Sequence, residues 1–185
     1  MAKVVVFFAD DLEEIEALTP VDLLRRAGNE VTTVSVMGRA RVVGSHGVAL
    51  EADTIFEEAE MEEADLYVLP GGSGFRHYRA NERLKALLTE KERKGKRIAA
   101  ICAAPAVLGD IGLLEGKEAT IYPGMEEFLQ GGIYRDVPYV TDGRITTGHG
   151  PGAAMDFALE LVGLLNGEGA KEELRAQLVY PYRAE

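Results

Sequence analysis

RIAAICAAPAVL, residues 97–108, decides the fold. Residues 97–101 form a short apolar run of the kind found in strands covered on both faces, and residues 103–108 read as helical. Cys102 stands at the junction. A strand that passes at once into a helix is the repeating unit of a doubly wound, mostly parallel sheet, so the same rhythm should recur along the chain.

It recurs on both sides. Residues 3–9 (KVVVFFA) are another buried strand, followed by Leu12, Ile15, Leu18, Val21, Leu23 and Leu24 at helical spacing up to Gly28, with Pro20 as a kink. Residues 30–36 give a second strand, and 41–50 a hairpin with an exposed tip at Gly44-Ser45-His46-Gly47. LYVL (66–69) is a strand ended by the glycine-rich loop 70–74, with an amphipathic helix at 81–94. Beyond Cys102 come a short strand near Ala119, a small helix at 125–129, and two runs, 139–141 and 144–147, around the hairpin dipeptide Asp142-Gly143. Gly150-Pro151-Gly152 opens a helix over 153–165, and a charged tail ends in an expected edge strand at 178–180. Ligands of such sheets bind at the carboxyl ends of the strands, which selects loops 10–16, 70–74 and 102–105.

The 185 residues suit one domain with a full core. No apolar run approaches a membrane span, and the short run 4–9 leads into acidic residues rather than a cleavage site, so a cytoplasmic location is expected. A single cysteine cannot form an internal disulfide and fits a reducing compartment. A net charge of −11 argues against nucleic acid and anionic membranes as partners.

A thiol on a strand-to-helix bend resembles a nucleophile elbow, and Ala99, Ala100, Ala103 and Ala104 leave room for the bend. A following helix N-terminus favours thiolate. The alternative is a small buried hydrophobe. Glu13 and Glu14 fit ordinary capping and solvation at the start of the first helix, whereas Glu16 can point inward, stay protonated through burial, and donate to the Cys102 thiolate as one acid–base unit. The 71–74 loop lacks the ending of a P-loop, so its use is as an oxyanion hole, with the Gly72 and Ala103 amides, or as a plain turn. His46, His77 and His149 lack metal-ligand spacing, and no metal site is expected; His149 gains weight from its place before a helix.

PVDLLRRAG (20–28), LPGGSG (69–74), AAICAAP (99–105) and HGPG followed by FALELV (157–162) together resemble the ThiJ/PfpI superfamily, and within it the DJ-one (Parkinsonism-associated deglycase) branch. The resemblance runs from Lys3 to about Leu178. It implies a flavodoxin-like α/β sandwich, a homodimer, and cofactor-free chemistry on small dicarbonyls such as methylglyoxal or on glycated protein. Cys102 takes the nucleophile's place, Glu16 that of the protonated glutamate, and Gly72 and Ala103 those of the oxyanion amides. A redox-sensing chaperone that works through oxidation of Cys102 is the alternative the same branch offers. Ala103 replaces the histidine that follows the thiol in the peptidase branch, which disfavours proteolysis. Tyr122 stands where a histidine is common, and His46 and His149 where arginines often line the cleft, making all three candidate substrate or anion contacts.

Overall fold

A computed structural model describes residues 1–181. In chain order the elements are β1 (Lys3–Phe8), α1 (Glu14–Arg26), β2 (Glu30–Ser35), β3 (Arg41–Val43), β4 (Ala49–Glu51), β5 (Thr54–Ile55), β6 (Leu66–Leu69), α2 (Phe75–Ala80), α3 (Glu82–Arg93), β7 (Arg97–Ile101), α4 (Pro105–Asp110), β8 (Glu118–Ala119), β9 (Ile133–Tyr134), β10 (Tyr139–Asp142), β11 (Ile145–Gly148), α5 (Ala154–Asn166) and α6 (Glu168–Gln177).

The central sheet has seven strands in the order β10-β11-β7-β6-β1-β2-β5, parallel throughout except for β10 against β11. Its middle strands are buried on both faces, which is why β1 and β6 carry apolar residues at every position after Lys3 instead of alternating with polar ones. Helices α1, α5 and α6 pack as one group and α2, α3 and α4 as another, giving the expected flavodoxin-like α/β architecture with a mostly parallel sheet. The chain winds from β1 outward to β2 and then returns across β1 to β6. The carboxyl ends of β1, β6 and β7 therefore meet at the reversal, and the three loops selected from sequence meet with them.

Four local expectations change. The tail at 178–180 is not an edge strand: α6 runs to its C-cap at Leu178, and the Tyr180 hydroxyl donates to Asp156 at 3.0 Å. The helix after Cys102 starts at Pro105, not at 103, because Ala104 and Ala106 make tight three-residue turns onto Ile101 and Ala103 first. Helix α2 begins directly after the glycine loop, and the two-residue β5 extends the sheet beyond β2. Among the described residues no helix is long and apolar enough to cross a membrane.

Candidate functional site

Cys102 has a backbone φ of +63°, in the left-handed region that a side chain with a Cβ enters at a cost. The bend persists because it is fastened on both sides. The Cys102 amide donates to Gly148 at the end of β11, and its carbonyl accepts from the Tyr122 amide, each at 2.9 Å. The elbow expected from the alanine-rich neighbourhood is present, and the side chain is only 7% exposed.

Glu16 reaches the same point from α1. Glu13 caps that helix, its carboxylate accepting from the Glu16 amide at 2.8 Å. This first turn directs Glu16 to the carboxyl ends of β6 and β7, where it is fully buried. Its Oε2 accepts from the Gly71 amide at 2.9 Å, and its Oε1 is buried without an aligned hydrogen-bond partner. Gly71 is the residue that sequence reasoning passed over. A Cβ there would lie 2.6 Å from the Cys102 Cβ and from Glu16 Oε2, so only glycine lets thiol and carboxyl approach.

Burial pushes the Glu16 carboxyl up to about 7, against the pull of the neighbouring thiol and the Gly71 amide. Burial first, and the Glu16 charge second, push Cys102 up to about 12, while the Gly72 and Ala103 amides pull it down. The helix N-terminus expected to favour thiolate contributes little here, because α4 is a six-residue helix that begins three residues on. Two groups this strongly coupled titrate as a unit, so the pair loses one proton near 7 and holds the other until far higher pH. Cys102, Glu16, Gly72 and Ala103 are thus brought together.

Glu14 departs from its expected solvated role. It is buried to 8% exposure, and its carboxylate accepts from the His46 amide and from His46 Nδ1, both at 2.8 Å, tying the tip of the β3–β4 hairpin to α1. Burial raises its pKa, but the His46 contacts outweigh that and hold it at about 2. Glu13, Glu14 and His46 place ligand-type atoms within 4.8 Å of one another, a meeting that sequence spacing did not reveal.

A cavity of about 360 Å³ opens over Cys102, walled by His46, Gly72, Ala103, Tyr122, Met125 and Pro151 among others. His46 and Tyr122 therefore do line the cleft. His149 does not: it faces an adjacent cavity of about 450 Å³ with Asp136 and Asp156, its Nδ1 bonded to the buried Thr120 hydroxyl at 3.0 Å. An anion site at His149 is a poor fit beside those two carboxylates.

All of these residues fall inside residues 2–164, which match the family model described as the DJ-1/PfpI family. The chain belongs to the DJ-1/PfpI family. Its DJ-1/PfpI relatives include a deglycase of Pyrococcus abyssi, 33% identical over 165 residues, which cover 88% of this chain and 99% of that protein. Protein DJ-1 homolog B of Arabidopsis thaliana is 37% identical over 162 residues, 86% of this chain, but the chain spans only 37% of that relative's length. Among solved structures, oxidized Toxoplasma gondii DJ-1 superposes with a TM-score of 0.94 at 38% identity, covering 98% of this chain and all of that one.

Proposed function

We propose that this DJ-1/PfpI protein converts small α-oxoaldehydes such as methylglyoxal to hydroxy acids without glutathione or any other cofactor. The observation that carries the reading is the one-proton pair formed by Cys102, which lines a small cavity, and the fully buried Glu16 beside it. A buried carboxylate oxygen without a donor is costly, whereas a protonated Glu16 has the Cys102 sulfur within reach as an acceptor. We therefore place the pair's remaining proton on the carboxyl, the reverse of the split in which the carboxyl titrates at about 7 and the thiol at about 12, and the nucleophile is the thiolate.

The sulfur adds to the aldehyde carbon, forming a C–S bond, and Glu16 gives its proton to the former carbonyl oxygen. The amides of Gly72 and Ala103, which face Cys102, stabilise the thiolate before this step and the charge that passes to the oxygen during it. The Glu16 carboxylate next removes the hydrogen of the aldehyde carbon. It returns that proton to the neighbouring carbon through an ene-diol, leaving a thioester. One water hydrolyses the thioester, restores the thiol, and supplies the atoms that separate lactate from methylglyoxal. Deglycation of protein adducts, suggested by the Pyrococcus abyssi relative's name, would use the same addition step.

The test is lactate formation from methylglyoxal in the absence of glutathione, compared among wild type, Cys102→Ala and Glu16→Gln. Each variant is expected to lose about a hundredfold or more in kcat/KM. Rates equal to wild type in either variant would sink the reading.

A second reading has its own observation. A similar chain is known in an oxidized form, and in this chain the Gly72 and Ala103 amides stand ready to donate to oxygens on Cys102. In a redox sensor, mild peroxide adds oxygen to Cys102 while methylglyoxal turnover stays negligible; intact mass separates the two readings.

A further inference from the structure

Two cavities lie side by side at the carboxyl edge of the sheet, and Tyr122 and Pro151 line both of them. One holds Cys102. The other, larger cavity has a mainly apolar wall that includes Pro123, Val137, Pro138 and Ala153, and it is also lined by Asp136, Asp156 and His149. Among the described residues no lysine or arginine lines either cavity.

The tyrosine's position is fixed by the elbow itself. Its amide donates to the Cys102 carbonyl at 2.9 Å, and its carbonyl accepts from the Met125 amide at 3.0 Å. Its ring lies against the Gly150 backbone, where an added Cβ would meet the ring carbon Cδ2 at 3.4 Å. The ring is 47% exposed, so it stands as a wall with solvent on part of its surface rather than as core. Backbone tethers on both sides leave rotation of the side chain as its only ready movement.

We propose that the Tyr122 ring is the partition that determines substrate size: it confines the Cys102 cavity to oxoaldehydes with a small substituent and closes off the second cavity. That cavity is a latent subsite for an apolar, aryl-sized substituent. The inference rests on the oxoaldehyde reading for its substrates. Trimming the ring joins the two spaces, and an aldehyde held at Cys102 then extends its substituent between Pro151 and Val137. The carboxylates of Asp136 and Asp156 that line it disfavour an anionic substituent in the same place.

The experiment compares wild type, Tyr122→Phe and Tyr122→Ala with two substrates and two alkylators. For each protein, kcat/KM is measured for phenylglyoxal and methylglyoxal and expressed as a ratio. Tyr122→Ala is expected to raise that ratio by about tenfold or more, as removal of a steric wall in a binding pocket does, and Tyr122→Phe to leave it near wild type. Independently of turnover, the rate of Cys102 modification by N-phenylmaleimide relative to iodoacetamide should rise in the alanine variant alone. Cys102 is the only cysteine, and the ratio cancels any change in thiolate fraction. Unchanged ratios in Tyr122→Ala, or an equal shift in Tyr122→Phe, overturn the partition. If wild type turns over neither aldehyde, the oxoaldehyde reading fails, and the alkylation ratio alone still decides whether Tyr122 divides the cavities.

Discussion

Glu16 and Cys102 converge on a single point of space beside Gly71: a methyl group on that glycine would lie 2.6 Å from the Cys102 Cβ and 2.6 Å from Glu16 Oε2. The contact between acid and thiol is therefore made possible by a missing side chain on a third strand-end loop.

Gly71→Ala should separate the pair. The added methyl also meets the Ile101 carbonyl oxygen at 2.8 Å, a backbone atom of β7 that cannot swing aside. A stability loss of about 1–3 kcal/mol in urea unfolding is expected from overpacking at this site. Methylglyoxal turnover should fall further than stability does. A variant that keeps wild-type stability and activity would show that the close approach is dispensable.

The first proton lost by the Cys102–Glu16 pair has a defined effect on stability. The Glu16 carboxyl of the unfolded chain gives up its proton at about 4.5, whereas the folded pair, chiefly through burial, keeps both protons until about 7, so the folded state holds that proton more tightly than the unfolded chain. Its contribution is complete below pH 4.5 and is lost as pH rises through 7. Relative to Glu16→Gln, which cannot titrate, wild type should lose about 3 kcal/mol across that window. Urea midpoints at closely spaced pH values measure the difference, and a difference that does not vary with pH would show that Glu16 titrates like an exposed carboxyl.

The strain at Cys102 can be read from two replacements that both lack sulfur. At φ +63° glycine carries no penalty and alanine does. Cys102→Gly should be more stable than Cys102→Ala by about 1 kcal/mol, against the usual preference for alanine. The reverse order would mean that the bend is not held in the left-handed region.

Glu14 should govern the hairpin at the cavity mouth. Its carboxylate holds the His46 amide at 2.8 Å and the Val48 amide at 3.4 Å, with a pKa lowered to about 2 by those contacts and the His46 ring, against burial. Glu14→Gln should speed hydrogen exchange at the His46 amide by about tenfold. In wild type the same protection is present above about pH 4.5 and is lost as pH falls toward 2. Exchange unchanged by the substitution would place the hairpin's stability elsewhere.

Much of this was legible in the chain because the decisive signals are local. LYVL and RIAAI are buried on both faces and so read as strands without knowledge of their neighbours, and Asp142-Gly143 marks its hairpin by turn chemistry alone. Glu16 could be separated from Glu13 and Glu14 only by its position beside Ile15 and Leu18. That argument named the buried acid on a premise the structure overturns, since Ile15 and Leu18 are 55% and 40% exposed, and it misjudged Glu14, whose partner His46 is 32 residues away and arrives through the β3–β4 hairpin. The two-residue β5 exists through its pairing with Val34 and Ser35, and the apolar 178–180 stretch stays at a helix end, below the buried anchor Leu174. Neither is encoded in a local pattern. The importance of Gly71 over its neighbours is a matter of which atoms lie opposite it, and the division of two cavities by Tyr122 depends on segments joined only in the folded state.

The central claim is that near neutrality Cys102 and Glu16 hold one proton between them, with the proton on the carboxyl and the charge on sulfur. With a single cysteine, the ultraviolet absorbance of thiolate followed against pH reports on Cys102 alone. The expected result is a thiolate step with a midpoint near 7, where the pair gives up its first proton, and a displaced midpoint in Glu16→Gln. A wild-type protein that shows no thiolate until the pH approaches about 12 would contradict the account, because the first proton lost would then have come from the carboxyl and left an inert thiol beside it.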